Sequence, residues 1–160
     1  MEPRLNMLGN ELSGKVAKRL AGVHQLIAPM VPEPLGELML LRVSQINGCA
    51  LCVDMHTKAA AASGETQLRL SLVAVWREAA VFTDAERAAF ALAEEGTRIA
   101  DEHLGVSDET WAEARRHYDD DQLAAMVWLI ALINAANRAN VMVRNQGGEH
   151  DTQQLAAMAN

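Results

Sequence analysis

The chain has 160 residues, of which 50% are hydrophobic and 22% charged, with a net charge of −7 and an isoelectric point near 5.2. That length allows one domain with a substantial core, and the composition excludes intrinsic disorder. The 14 Lys and Arg residues are scattered rather than gathered into a basic face, which excludes a nucleic-acid binder.

From the N-terminus, "MEPRLNMLGNELSGK" lacks the basic start and unbroken apolar stretch of a secretory signal, so the expected compartment is the cytoplasm. Leu12, Val16, Leu20, Val23 and Ile27 then recur at spacings of three and four, the signature of one helix face. "VPEP" (31–34) breaks that helix, and Pro34 suits the first turn of the next. The second helix carries Leu38, Leu41 and Ile46 and should stop at Asn47-Gly48. A third should run from near Cys49 to Ser63-Gly64, and "GETQLRLSLVAVW" suggests a short one after it.

"TDAE" (83–86) reads as a capping box, with Leu92 and Ile99 continuing the apolar side of the helix it starts. A further helix should begin at Ser107, and the last long one should span about Asp121 to Arg144. The acidic run 119–121 suits a helix start, where negative charge is favoured. The apolar stretch 123–142 is interrupted by Asn134, Asn137, Arg138 and Asn140, so it reads as a buried or interface helix rather than a membrane span. The three asparagines need hydrogen-bond partners if buried, and the preferred reading is polar registry between helices. Period-two alternation is lacking and strand-forming residue types are few. The expected class is all-α: one domain of six or seven helices over residues 1–146, with a loosely attached tail at 147–160.

Both cysteines of the chain lie in "NGCALCVDMH" (47–56). On a helix, Cys49, Cys52 and His56 stand at i, i+3 and i+7, within about 60° of one another. Side chains three apart have Cβ atoms roughly 5–6 Å apart, so a small adjustment closes a disulfide. Asn47-Gly48 puts the thiols at a helix start, where free N–H groups and the helix dipole favour a thiolate. His56, one turn beyond Cys52, is within reach directly or through water, and Glu37 on the preceding helix can turn toward it as an acid–base partner.

Glu37, "NGCALCVDMHTKAA" and "REAAVFTDAERAAFALAEEGTRI" (77–99) together resemble the carboxymuconolactone decarboxylase superfamily, and within it the alkylhydroperoxidase D branch. The similarity covers roughly residues 33–146. It implies an all-helical, AhpD-like fold, a homo-oligomer (trimer or hexamer), and cysteine-dependent reduction of a hydroperoxide. Carried over by position, Cys52 would be the peroxidatic cysteine and Cys49 its resolving partner, with His56 and Glu37 as the proton relay. The helix dipole alone would favour Cys49 as the more acidic thiol. Leu51 stands where the best-studied branch has a histidine, which leaves the surroundings of Cys52 more apolar. The decarboxylase branch typically lacks the CxxC pair, so ring-lactone decarboxylation is not expected.

Two other readings compete. Cys49, Cys52, His56 and Glu37 form an allowed zinc ligand set, although structural zinc sites usually draw on two separated ligand pairs. Alternatively, the cysteines are small core residues of a helical structural or ligand-binding oligomer, redox-sensitive but not catalytic. The expectation is no metal and no cofactor: no glycine-rich phosphate loop is visible, so electrons should arrive from a partner's dithiol. His24, His103, His117 and His150 show no partner pattern and read as solvent-facing or structural. The apolar last helix, in a chain half hydrophobic, points to surface buried between subunits.

Overall fold

The computed structural model describes residues 2–7, 9–101 and 105–149. Among the described residues seven α-helices follow in order: α1 Glu11–Ile27, α2 Leu35–Asn47, α3 Ala50–Ala62, α4 Gln67–Leu72, α5 Asp84–Thr97, α6 Asp108–His117 and α7 Asp120–Val143. Short 3-10 turns at Ala28–Met30 and Val73–Glu78 complete the path, and no strand occurs among the described residues. His103, His150 and residues 151–160 of the expected tail lie outside the described residues.

The helix starts follow from their capping chemistry. Thr83 and Glu86 form the expected capping box, and Asp119 with Gln122 forms a second one that accounts for the acidic run. Ser107 caps α6 through the Thr110 N–H. The helix α2 ends at Gly48, which adopts φ 68°, a left-handed conformation that glycine reaches without a Cβ penalty. Pro34 is the N-cap of α2 rather than its first residue, and the Glu33–Pro34 peptide is cis.

The helix α2 is the hub, packing on α3, α5 and α7. Leu38, Met39, Leu41, Phe90, Leu92, Met126 and Leu129 are fully buried at its centre. Two inward-turned clusters join it to its neighbours. On one side Asn47 Nδ2 donates to Asn134 Oδ1 (3.0 Å) and Asn137 Oδ1 (2.9 Å), while Asn137 Nδ2 donates to Ser44 Oγ (3.2 Å). The asparagine registry is therefore real at 134 and 137, and it lies within the chain, between α7 and the end of α2. On the other side Glu94 of α5, 1% exposed, accepts from Arg42 Nε (2.6 Å) and Trp76 Nε1 (2.9 Å) and pairs with Arg77 and Arg98.

One expectation is met without burial of the face it names, and one needs correction. The helix α1 forms as its periodicity predicts, yet it has no buried residue: Leu12 is 71% exposed, and Val16 and Val23 are exposed as well. A stripe of apolar residues specifies a face but not the surface that covers it. Ile99 lies beyond the end of α5 and is exposed, so it does not extend that helix's apolar side. By length and composition α7 is apolar enough to cross a membrane. Here it packs on α1, α2, α3 and α5, with Asn134 and Asn137 hydrogen-bonded inside and Val127, Trp128, Val141 and Met142 exposed.

Candidate functional site

Cys49 is the N-cap of α3, in extended conformation (φ −85°, ψ 95°), and Cys52 is in the first turn. The helical register predicted for the pair therefore holds only from residue 50 onward, because Cys49 stands just outside the helix. This brings the two Cα atoms to 5.3 Å, and the sulfurs are joined in a disulfide. The Cys52 backbone N–H donates to Cys49 Sγ (3.3 Å), so one of the free donors at the helix start is turned onto sulfur. Both cysteines are almost fully buried, at 1% and 2% exposure. The turn ahead of them is pinned by Asn47, whose amide is held by two asparagines of α7.

His56 lies one turn beyond Cys52, and its Nδ1 meets Glu37 Oε2 at 2.8 Å. With Glu37 as the acceptor, Nδ1 is the donor of this bond, and Nε2 is the ring nitrogen outside the pair. Both side chains are partly accessible, His56 at 16% and Glu37 at 22%. The structure thus brings together Glu37 of α2 and His56 of α3 as the sequence suggested. Among the described residues no hydrogen bond joins His56 to either sulfur, so a proton passing between them needs water or a substrate atom.

Two residues of this neighbourhood were not anticipated. His24, in the last turn of α1, comes within electrostatic reach of Glu37 and His56. Burial lowers its pKa, the Glu37 carboxylate pulls it back up, and His56 adds to the lowering; the net value lies below the ordinary histidine value. Asn140 of α7 donates from Nδ2 to Cys52 Sγ (3.4 Å), and its Oδ1 accepts from Asn145 Nδ2 (2.8 Å). The i+3 spacing of the asparagines was visible in the sequence, but which of them reaches the sulfur depends on how α7 crosses α3.

The chain after α7 also reaches the site. Gly148 N–H donates to Asp54 Oδ2 (2.9 Å), and Gly147 approaches so closely that a Cβ there would collide with the Ala50 carbonyl oxygen. The start of the expected tail therefore lies across the first turns of α3. Among the described residues no three His, Cys, Asp or Glu side chains converge as metal ligands, and the disulfide occupies both sulfurs.

The helical bundle thus carries a CxxC disulfide at the start of α3 and, one turn further along that helix, a histidine–glutamate pair. The profile of the carboxymuconolactone decarboxylase family matches residues 15–95. The chain belongs to that family, within its AhpD-like superfamily. It is 40% identical over 110 residues to the uncharacterized protein YdfG of Bacillus subtilis (strain 168), covering 69% of this chain and 74% of that one. Among solved structures it is similar to ATU0492 of Agrobacterium tumefaciens, a protein of unknown function given a provisional description as an AhpD antioxidant defence protein. That match has TM-score 0.84 and 31% identity, over 93% of this chain and 100% of the other. The debrominase Bmp8 shares the fold at TM-score 0.69 and 19% identity, over 88% of this chain and 73% of its own.

Proposed function

We propose that the chain is a cysteine-dependent reductase of organic hydroperoxides, an antioxidant enzyme. The observation that carries the reading is the Cys49–Cys52 disulfide set one turn from the His56–Glu37 pair. In the reduced enzyme the Cys52 thiolate attacks the terminal peroxide oxygen, and the O–O bond breaks. The departing alkoxide takes a proton delivered through His56 and leaves as an alcohol, with Cys52 now a sulfenic acid. The Cys49 thiol attacks that sulfur, expels water and closes the disulfide. An external dithiol then reopens it by exchange and is itself oxidised. Glu37 orients His56 and restores its proton, and no cofactor enters the cycle.

A homo-oligomer, trimer or hexamer, fits the exposed apolar residues of α1 and α7, notably Leu12, Leu26, Trp128 and Met142. We read the protein as soluble and cytoplasmic, where thiols are kept reduced between turnovers. Light scattering at micromolar concentration is expected to give a multiple of the 17.4 kDa chain mass. A monomer mass would overturn the oligomer.

One observation favours a second reading. Both sulfurs are almost completely covered, as they would be in a structural or ligand-binding oligomer whose cysteines are redox-sensitive but idle. The fold alone does not select the substrate, since a debrominase shares it. The deciding experiment is hydroperoxide turnover with a supplied small dithiol, comparing the wild type with Cys52→Ser and Cys49→Ser. We expect Cys52→Ser to abolish turnover and Cys49→Ser to accumulate a sulfenic acid that traps a sulfenate-specific reagent. Wild-type turnover no faster than that of Cys52→Ser would leave the second reading standing.

A further inference from the structure

We propose that Asn140 is the polar partner that holds Cys52 as a thiolate in the reduced protein, and that Asn145 is a positioning residue acting through it. The proposal rests on the reading of Cys52 as the nucleophile and adds to it a side chain from the far end of the sequence.

The geometry supplies the argument. Cys52 Sγ is buried, and Asn140 Nδ2, on α7, donates to it across 3.4 Å. Which end of an amide faces a neighbour is decided by its hydrogen-bond network. Asn140 Oδ1 is engaged by Asn145 Nδ2 at 2.8 Å, so the NH₂ end is the one left to face sulfur. The Asn145 backbone is held in turn, since its N–H donates to the Asn140 carbonyl at 3.0 Å just past the left-handed Arg144 that ends α7. The next residues are anchored on α3 by Gly148 and Asp54. A neutral amide donor therefore arrives at sulfur pre-oriented.

Its value differs between redox states. A disulfide sulfur is a weak acceptor, whereas a thiolate is a charged one, and hydrogen bonds to charged groups are the stronger kind. When the disulfide opens, the amide contact strengthens, and it opposes the burial that would otherwise raise the thiol pKa. The titratable and charged groups on the elements that meet here are Cys49 at the α3 N-cap, Asp54 with its ion-pair partner Lys58 and His56 with Glu37 along α3, His24 of α1 facing that last pair, and Arg144 at the end of α7. Among the described residues, Asn140 is the one whose side chain donates a hydrogen bond to Cys52 Sγ.

The test reads the thiol itself, so it does not depend on peroxide chemistry. In a Cys49→Ser background, the pH dependence of Cys52 alkylation gives its pKa. Asn140→Ala is expected to raise that pKa by about one unit or more, as loss of a charge-assisted hydrogen bond implies. Asn145→Ala should raise it by less, because the amide remains but is free to turn. Asn140→Asp keeps the shape, sets an acceptor against the thiolate, and should raise the pKa at least as far. Circular dichroism establishes that each variant is folded; if Asn140→Ala is not, the isosteric Asp variant decides. A folded Asn140 variant with an unchanged Cys52 pKa would overturn the proposal. Shifted pKa values in a protein without hydroperoxide turnover would keep Asn140 in place and remove the peroxidase reading instead.

Discussion

Glu94 and Glu37 are both acidic residues that reach across a helix interface to a basic side chain, and the chain treats them in opposite ways. Glu94 is 1% exposed and surrounded by Arg42, Trp76, Arg77 and Arg98. Burial pushes its pKa up, but hydrogen bonds from Arg77, Trp76 and Arg42 outweigh that and bring it down to about 2. Glu37 is 22% exposed and, among the described residues, takes one hydrogen bond, from His56, with His24 nearby. A saturated carboxylate locks helices together and has no capacity to exchange a proton with a visitor. An accessible histidine–glutamate pair gives up structural strength, and in the proposed function that accessibility is what lets it exchange a proton with a substrate.

The largest effect expected from this contrast is kinetic. His56→Phe and Glu37→Gln should each slow hydroperoxide turnover by about 10²–10⁴-fold, the usual cost of losing a general acid–base partner. Because the pair acts as a unit, the double variant should be little slower than the slower single. Stability should change little, since a partly exposed hydrogen-bonded pair contributes only about 1 kcal/mol. Steady-state rates and a denaturant titration on the same samples measure both. Wild-type rates in both singles would place Glu37 in the same structural category as Glu94.

The contrast also marks what could be read from the sequence. The grouping of Glu37, Cys49, Cys52 and His56 was legible from their spacing around the Asn-Gly stop and from the family resemblance, although Cys49 stands just outside the helix that the spacing assumed. The capping box at Thr83 was legible because it depends on residues three apart, whereas at Asp119 the acidic run marked a helix start but not the capping box with Gln122. His24 was not legible, because its approach to Glu37 and His56 is set by how α1 packs and by no sequence pattern. The Asn140–Cys52 contact was hidden for the same reason, since 88 residues separate the two. Glu94 was invisible as well: nothing local distinguishes it from Glu95, which instead holds Ser107 and Thr110 at the start of α6. Periodicity finds faces and caps, whereas partners between distant helices appear only once the helices are placed.

The smaller effect expected concerns Glu94 itself, and its readout is stability. Removing one member of a buried ion cluster leaves the opposite charge unpaired, at a typical cost of about 3–5 kcal/mol. Arg77 and Arg98 are 57% and 44% exposed and can return to water, whereas Arg42 is 13% exposed and cannot. Glu94→Gln should therefore lie near the low end, about 3 kcal/mol at pH 7, with the Cys52 alkylation pKa unchanged. The pH dependence supplies a second check. The folded-state pKa of about 2 lies below the ordinary 4.5, so this contribution is fully present above about pH 4.5 and is lost as pH falls toward about 2. The difference in stability between wild type and Glu94→Gln should accordingly shrink across that window. Denaturant midpoints measured between neutral and acid pH test the sign directly. A gap that stays constant through it would mean that the carboxylate charge does not hold α2 and α5 together, and the contrast with Glu37 would lose its basis.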